Sequence, residues 1–411
     1  MTTPAGAATS ATSGTVAGRP QPQTTAEPVG GPFVRHAPDG RRAMYTATQG
    51  FSGFMASPMV SSPGWNKGYR VLTTGASGVN GTNTVTASAD APWNFFNLVQ
   101  MKDAFGTQLL TGPGYNIAFE VPLYSGQFGL DLMRSPANSP QFNPVSIGAS
   151  GTGNFQFSTY FPFEFGKGYG VISGANAALL PVLQVNMSTA GTVYGSVSPG
   201  TSPSMTQTVD SDFYWLPNIP VDPPGIGTTC QWIYQPSNPT ISAAASTIVQ
   251  LPRLGGYLTM LILELRDAGG ARLTEATNNY GWPARPKILV DGVPLIDSLF
   301  TTLQEDVAIS TGIGAYAAST ATNTGATNPN QGTIPVPRPA GTIAISRKTS
   351  LAQRDFGLLD TGEIFLSTNP GTQIEIAGYP WGTVVSGPMT LNAIVGQVVP
   401  SGNLIQGLPE V

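Results

Sequence analysis

The chain has 411 residues, too many for one ordinary hydrophobic core, so two domains are the default expectation. Only 10% of residues are charged, against roughly 25% in typical soluble domains, and the net charge of −4 carries no general nucleic-acid signal. The single cysteine excludes an intramolecular disulfide, one histidine excludes His/Cys metal clusters, and no apolar run reaches the ~18 residues of a membrane-spanning helix.

Taken in chain order, residues 1–44 are low in complexity and show no hydrophobic period, which predicts a flexible, mildly basic arm carrying Arg19, Arg35, Arg41 and Arg42. It lacks the apolar core of a signal peptide, so synthesis and use without Sec-type export is expected. From Met44 onward, short apolar runs alternate with Gly, Pro, Asn and Ser, the pattern of an all-β chain with long loops. "YRVLTTGA", "WNFFNLVQMKD", "YNIAFEVPL", "FQFSTYFPFEF" and "ALLPVLQVNM" read as strands, and residues 196–212 as a long polar insertion. The Pro-rich stretch 217–227 is the candidate linker, because repeated proline forbids regular strands or helices. A second strand-rich block follows. Its one convincing helix is "PLIDSLFTTLQEDVAI", where Ile296, Leu299, Phe300, Leu303 and Val307 form an apolar stripe. Residues 310–332 form another long polar loop.

One phrase occurs twice. "VQMKDAFGTQLL" (99–110) is matched by "LELRDAGGARLT" (263–274), with Asp103 over Asp267 and Gly106 over Gly270. Both copies alternate polar and apolar residues in the same phase. Each ends in the chemistry of a tight hairpin, with Asp capping and Gly at positive φ. "EVPL" (120–123) over "GVPL" (292–295), and "SGANAALLPVLQV" over "STNPGTQIEI", continue the match in order. The expectation is a duplicated β-domain, covering residues 45–222 and 223–411, with the two turns at the same place in each copy.

Each copy has about 180 residues and seven to nine strands, which suits a jelly roll better than an immunoglobulin-like sandwich of ~100 residues. The predicted fold is all-β: two tandem jelly-roll sandwiches with long loops and a short helix in the second. With the Ala/Thr/Gly-rich arm and sparse charge, this arrangement resembles the double jelly-roll major capsid proteins of tailless icosahedral viruses, including tectivirus-like bacteriophages. The resemblance implies a homotrimer forming a pseudo-hexagonal tile, located in the virion and made in the host cytoplasm. It also implies neighbouring trimers, penton and minor capsid proteins as partners, and an internal membrane or genome contacted by the arm through Arg19, Arg35, Arg41 and Arg42. A receptor-binding spike or fibre protein is the alternative, and a carbohydrate-active enzyme is the third.

The sequence offers little chemistry. His36 lies in the arm, so no Ser-His-Asp or Cys-His constellation forms, and no phosphate-binding glycine motif precedes a helix. No catalytic residue, cofactor or metal is expected. The carboxylates in "VDSDFYW" (Asp210 and Asp212) and "RDFGLLDTGE" read as loop and turn chemistry, and Trp215, Tyr280 and Trp282 as loop anchors rather than sugar platforms. Cys230 reads as a buried structural thiol.

Overall fold

The computed structural model describes residues 39–57, 60–62, 64–79, 88, 90, 93–125, 152–165, 170–174, 176–194, 204–215, 228–237, 240–242, 246–251, 256–273, 281–303, 341–346, 366–367, 372–382 and 387–400. The linker 217–227, the loop 310–332 and residues 1–38 lie outside them.

The first half contributes β1 (Asp39–Gln49), β2 (Phe54–Ala56), β3 (Gly64–Val79), β4 (Phe96–Lys102), β5 (Gln108–Gly112), β6 (Thr152–Pro162), β7 (Ile172–Ser173), β8 (Val182–Met187) and β9 (Ser204–Trp215). The second contributes β10 (Thr228–Pro236), β11 (Thr247–Gln250), β12 (Tyr257–Arg266), β13 (Lys287–Val290), β14 (Val293–Asp297), β15 (Thr342–Ser346), β16 (Leu366–Ser367), β17 (Ile374–Gly378) and β18 (Thr390–Pro400). The first half's strands lie in the orders β1-β9-β3-β6 and β2-β8-β4-β5, and the second half's in the orders β10-β18-β12-β15 and β11-β17-β13-β14. Strand for strand these are the same two sheets, built twice. Each half pairs its first strand with its last and its second with its penultimate one, then β3 with β6 and β4 with β5 in the first half and β12 with β15 and β13 with β14 in the second, which is the winding of a jelly roll.

The two rolls share a sheet. β5, at the edge of the first roll, pairs in parallel with β10, at the edge of the second, through Trp232↔Leu110 and Ile233↔Thr111. One nine-stranded sheet therefore runs from β15 to β2 across both rolls. This explains why "LTMLILEL" in β12 is nearly continuous in apolar residues. Leu261, Leu263 and Leu265 face the second roll's core, while Met260 and Ile262 join the core cluster of the first. A strand covered on both faces has no reason to alternate. Trp232 on β10 is fully buried in that first cluster, seated against Gly396 of β18, where a Cβ would meet the indole ring.

Several sequence expectations are corrected. Residues 39–44, read as arm, begin β1, which pairs along its length with β9. An edge strand held by backbone bonds needs little apolar content, and facing threonines such as Thr48 and Thr206 (3.1 Å) supply the cross-strand contacts. Most of the polar insertion 196–212 is strand β9. Its inward residues, Met205, Gln207, Val209 and Ser211, are all buried, and the polar ones are bonded, Ser211 to Asn66 at 2.6 Å. The helix expected from Pro294 starts instead at Phe300, because 293–297 is drawn into β14 by pairing with β13. Leu299 of the proposed stripe is exposed, whereas Phe300 and Leu303 are buried.

"YNIAFEVPL" is not a strand. It is a helical segment, π-helical over Tyr115–Glu120 and α-helical over Val121–Tyr124. Every one of its residues is buried, so it has no polar face from which a helical period could be read. The first roll thus does carry a helix, and at the same place as the second, after β5 as the other follows β14. It also means that "EVPL", in a helix, and "GVPL", entering β14, are not structural equivalents.

The repeated phrase is corrected too. Both copies fold into the same turn. The backbone N–H groups of Phe105 and Thr107 donate to Asp103 Oδ1 at 2.9 and 2.7 Å, Ala271 N–H donates to Asp267 Oδ1 at 2.9 Å, and Gly106 and Gly270 have φ of +85° and +81°. However, Asp103 closes β4 onto β5, whereas Asp267 follows β12, whose counterpart in sheet order is β3. The likeness belongs to the turn and not to the duplication. The third match does fall on equivalent strands, since β8 and β17 hold the same place in their sheets.

Because Trp232 belongs to one roll and packs in the core of the other, truncating it should weaken the joint as well as the core. Trp232→Ala is expected to cost about 3–5 kcal/mol, read as a lower denaturation midpoint in urea.

Candidate functional site

The most organised polar chemistry among the described residues lies where the rolls meet. The helical segment Tyr115–Tyr124 packs Ile117, Phe119 and Val121 into the first roll's core and turns Tyr115, Asn116 and Glu120 toward the second. Facing them on β12 is Glu264, in phase with Met260 and Ile262. Glu120 and Glu264 are both fully buried.

Asn116 bridges the two carboxylates, its Nδ2 donating to Glu120 Oε2 at 2.8 Å and Glu264 Oε2 at 3.0 Å. Thr342 Oγ1 of β15 donates to Glu120 Oε1 at 3.0 Å, and Asn392 Nδ2 of β18 donates to Glu264 Oε2 at 3.3 Å. Arg266 grips Glu264 with two parallel bonds, Nε to Oε2 at 2.9 Å and Nη2 to Oε1 at 2.7 Å. Its remaining nitrogen, Nη1, donates to Asp90 Oδ2 and to the Gly270 carbonyl, both at 2.7 Å. Arg272 completes the cluster, Nε to Asp90 Oδ1 at 3.1 Å and Nη1 to the Tyr115 hydroxyl at 2.7 Å, with its guanidinium 4.7 Å from the Tyr115 ring centre. The Asp267 turn makes this possible. By folding the chain back so that Arg266 bridges to Arg272, it sets two guanidinium groups side by side over Asp90.

The charges nearly balance. Three carboxylates (Asp90, Glu120, Glu264) meet two guanidinium groups. Burial, followed by the charge of Glu264, pushes the Glu120 carboxyl up to about 8, so at neutral pH it holds its proton and two anions face two cations. Burial also raises the Tyr115 hydroxyl well above its ordinary value, so it stays protonated. The cluster's charge-assisted bonds fasten the first roll to the second.

The sequence-derived candidates are scattered. Asp103 and Gly106 close an ordinary hairpin, and Asp267 and Gly270 support the cluster. Arg19, Arg35 and His36 lie outside the described residues. Arg41 and Arg42 belong to the first roll rather than to an arm. Arg41 Nε donates to Asp212 Oδ1 at 2.7 Å, and Arg42 donates to the Ser61 carbonyl. Asp212 also accepts from Arg70 at 3.2 Å, beside a cavity of about 430 Å³, so this carboxylate has two guanidinium partners of its own. Trp282 is buried against Trp381, its Nε1 donating to the Gly341 carbonyl at 2.7 Å, and offers no exposed face to a sugar. Cys230 is buried. Tyr280 and the side chain of Trp215 lie outside the described residues. The joint itself was not foreseen. Its signal is a charged pair, Glu264 and Arg266, in a strand that is otherwise apolar apart from Thr259.

No family model and no curated protein matches the sequence. Solved structures do. The STIV MCP, the major capsid protein of Sulfolobus turreted icosahedral virus, superposes with a TM-score of 0.57 at 12% identity, covering 90% of this chain and 100% of that one. PBCV-1 VP54, fitted into a reconstruction of the virophage Sputnik, gives 0.51 at 11% identity, covering 89% of this chain and 94% of that one. The PBCV-1 virus capsid model gives 0.50 at 12% identity, with coverage of 89% and 94%. This chain has the double jelly-roll fold. At such identities the likeness is one of backbone architecture.

Two outcomes are expected. Arg266→Ala strips buried Glu264 of its bidentate partner, leaving only Arg272 at 4.0 Å, and should cost about 3–5 kcal/mol, measured as a loss of stability in denaturant. For Glu120 the folded carboxyl titrates near 8 and the unfolded one near the ordinary 4.5. The folded state therefore binds the extra proton between those values. Its contribution to stability is complete below about 4.5 and is lost as pH rises through about 8. Melting temperature should fall over that window, and Glu120→Gln, neutral at every pH, should flatten the fall when melts are recorded from pH 5 to 9.

Proposed function

We propose that this chain is the major capsid protein of a tailless icosahedral virus of bacteria, with three chains forming a pseudo-hexagonal tile of six rolls. The observation that carries the reading is the two-fold use of one complete jelly roll, joined edge to edge through a shared sheet and a buried charge cluster. Two rolls locked in this way form a single wide wedge, and three such wedges fill a near-sixfold outline. Low overall charge supports the same reading, because charged groups in the centre of subunit contacts are costly to strip of water. The fold neighbours named as capsid proteins of icosahedral and PBCV-1 viruses support it further.

In this reading the protein is not an enzyme. It is made in the host cytoplasm and resides in the virion, where its partners are neighbouring trimers and the penton and minor capsid proteins. The segment ahead of β1, with Arg19 and Arg35, contacts an internal membrane or the genome, while Arg41 and Arg42 stay within the first roll. The domain division at residues 222/223 belongs to the same proposal, with β9 ending the first roll and β10 opening the second.

The test is negative-stain microscopy with light scattering on the purified full-length protein. Particles of hexagonal outline with the mass of three chains are expected, and closed shells on concentration. A species that stays monomeric at every concentration would sink the proposal.

A further inference from the structure

We propose that the outer edge of β14, with the sheet face beside it, docks a second copy of this chain by receiving that copy's β1. This rests on the capsid reading above and names the surface that joins one wedge to the next.

The internal joint supplies the template. β5 ends one sheet of the first roll and β10 ends one sheet of the second, and their edges pair in parallel over a short stretch. β14 holds the place in the second roll that β5 holds in the first, and β1 holds the place that β10 holds. Each chain therefore uses one such joint internally and carries the two halves of another, one at each end. Among the described residues, β14 pairs only with β13, and β1 pairs only with β9.

The surface at β14 is not that of an edge meant for water. Val293 and Leu295 on the strand are 67% and 42% exposed, and Ile248 and Tyr379 on the neighbouring face are 56% and 70% exposed. Ile248, Ala377 and Tyr379 line a shallow cavity of about 490 Å³, with Arg285 and Lys287 at its margin. Open edges with apolar side chains are normally blunted or covered. Pro294 leaves Leu295 to Asp297 as the stretch with successive N–H groups, and the internal joint uses only two paired residues on each strand. A head-to-tail contact of this kind, front of one copy to back of the next, is heterologous and closes into a ring when the turn per copy divides the circle. The continuity of the β5–β10 joint with the open β14 and β1 edges argues for a second copy over an unrelated partner.

The test compares wild-type full-length protein with Val293→Asp/Leu295→Asp by light scattering, together with hydrogen exchange of the wild type dilute and concentrated. Both substituted side chains are exposed, so each chain should keep its fold and its circular dichroism. The expected result is that the wild type assembles with slowed exchange in both β14 and β1, while the variant's mass falls to that of one chain. If the wild type assembles but neither strand gains protection, the proposed surface is wrong and the capsid reading stands, even should the variant fail to fold. An assembled variant overturns it in the same way. A wild type that never assembles overturns both.

Discussion

β12 lies between two cores. One face packs into the second roll through Leu261, Leu263 and Leu265, and the other lies against the first roll through Met260 and Ile262. At the end of that second face sits Glu264, fully buried, with Arg266 two residues on making two bonds to it. A carboxylate in such a place costs several kcal/mol unless cations and donors surround it. Much of the neighbouring chemistry serves that need: Asn116 from the helical segment, Asn392 from β18, and the Asp267 turn that fixes Arg266 through the Gly270 carbonyl.

The consequence is a constraint on geometry. Two jelly rolls packed by apolar contact alone could slide, since dispersion and hydrophobic burial have no direction. The hydrogen bonds of the joint do have direction. They link the first roll's Tyr115, Asn116 and Asp90 to the second roll's Arg272, Glu264 and Arg266, and the parallel pairing of β5 with β10 sets the two sheets edge to edge. Keeping Glu120 protonated at neutral pH lets the cluster hold three acids with two guanidinium groups and no excess buried charge.

The helical segment Tyr115–Tyr124 and the helical turn starting at Phe300 lie in the same connection of their rolls, and the two rolls use them differently. In the first, the segment is buried on all sides and becomes the wall between the rolls. In the second, the described turn buries Phe300 and Leu303 in its own roll's core while Leu299 stays exposed. A duplicated fold has thus taken on two environments, one internal and one still open.

Composition and punctuation determined the fold class. Sparse charge, abundant Gly and Pro, and short apolar runs at strand length leave few options beyond a loop-rich β-protein of two similar halves. The Asp-x-x-Gly turns were also legible, because their backbone conformation depends on residues four positions apart at most. Local pattern failed where burial was set by distant neighbours. "YNIAFEVPL" could not be told from a strand, because packing on every side removes the polar face that marks a helix. β9 looked like a polar insertion, because its inward Gln207 and Ser211 are bonded to partners far away in sequence. The repeated phrase suggested equivalent positions because a turn's chemistry is the same wherever it stands, whereas its place in a sheet is decided by which strands pair. The joint of Glu120, Glu264, Arg266 and Arg272 belongs wholly to the tertiary structure, since residues more than a hundred positions apart become partners only when two separately wound rolls come to share an edge.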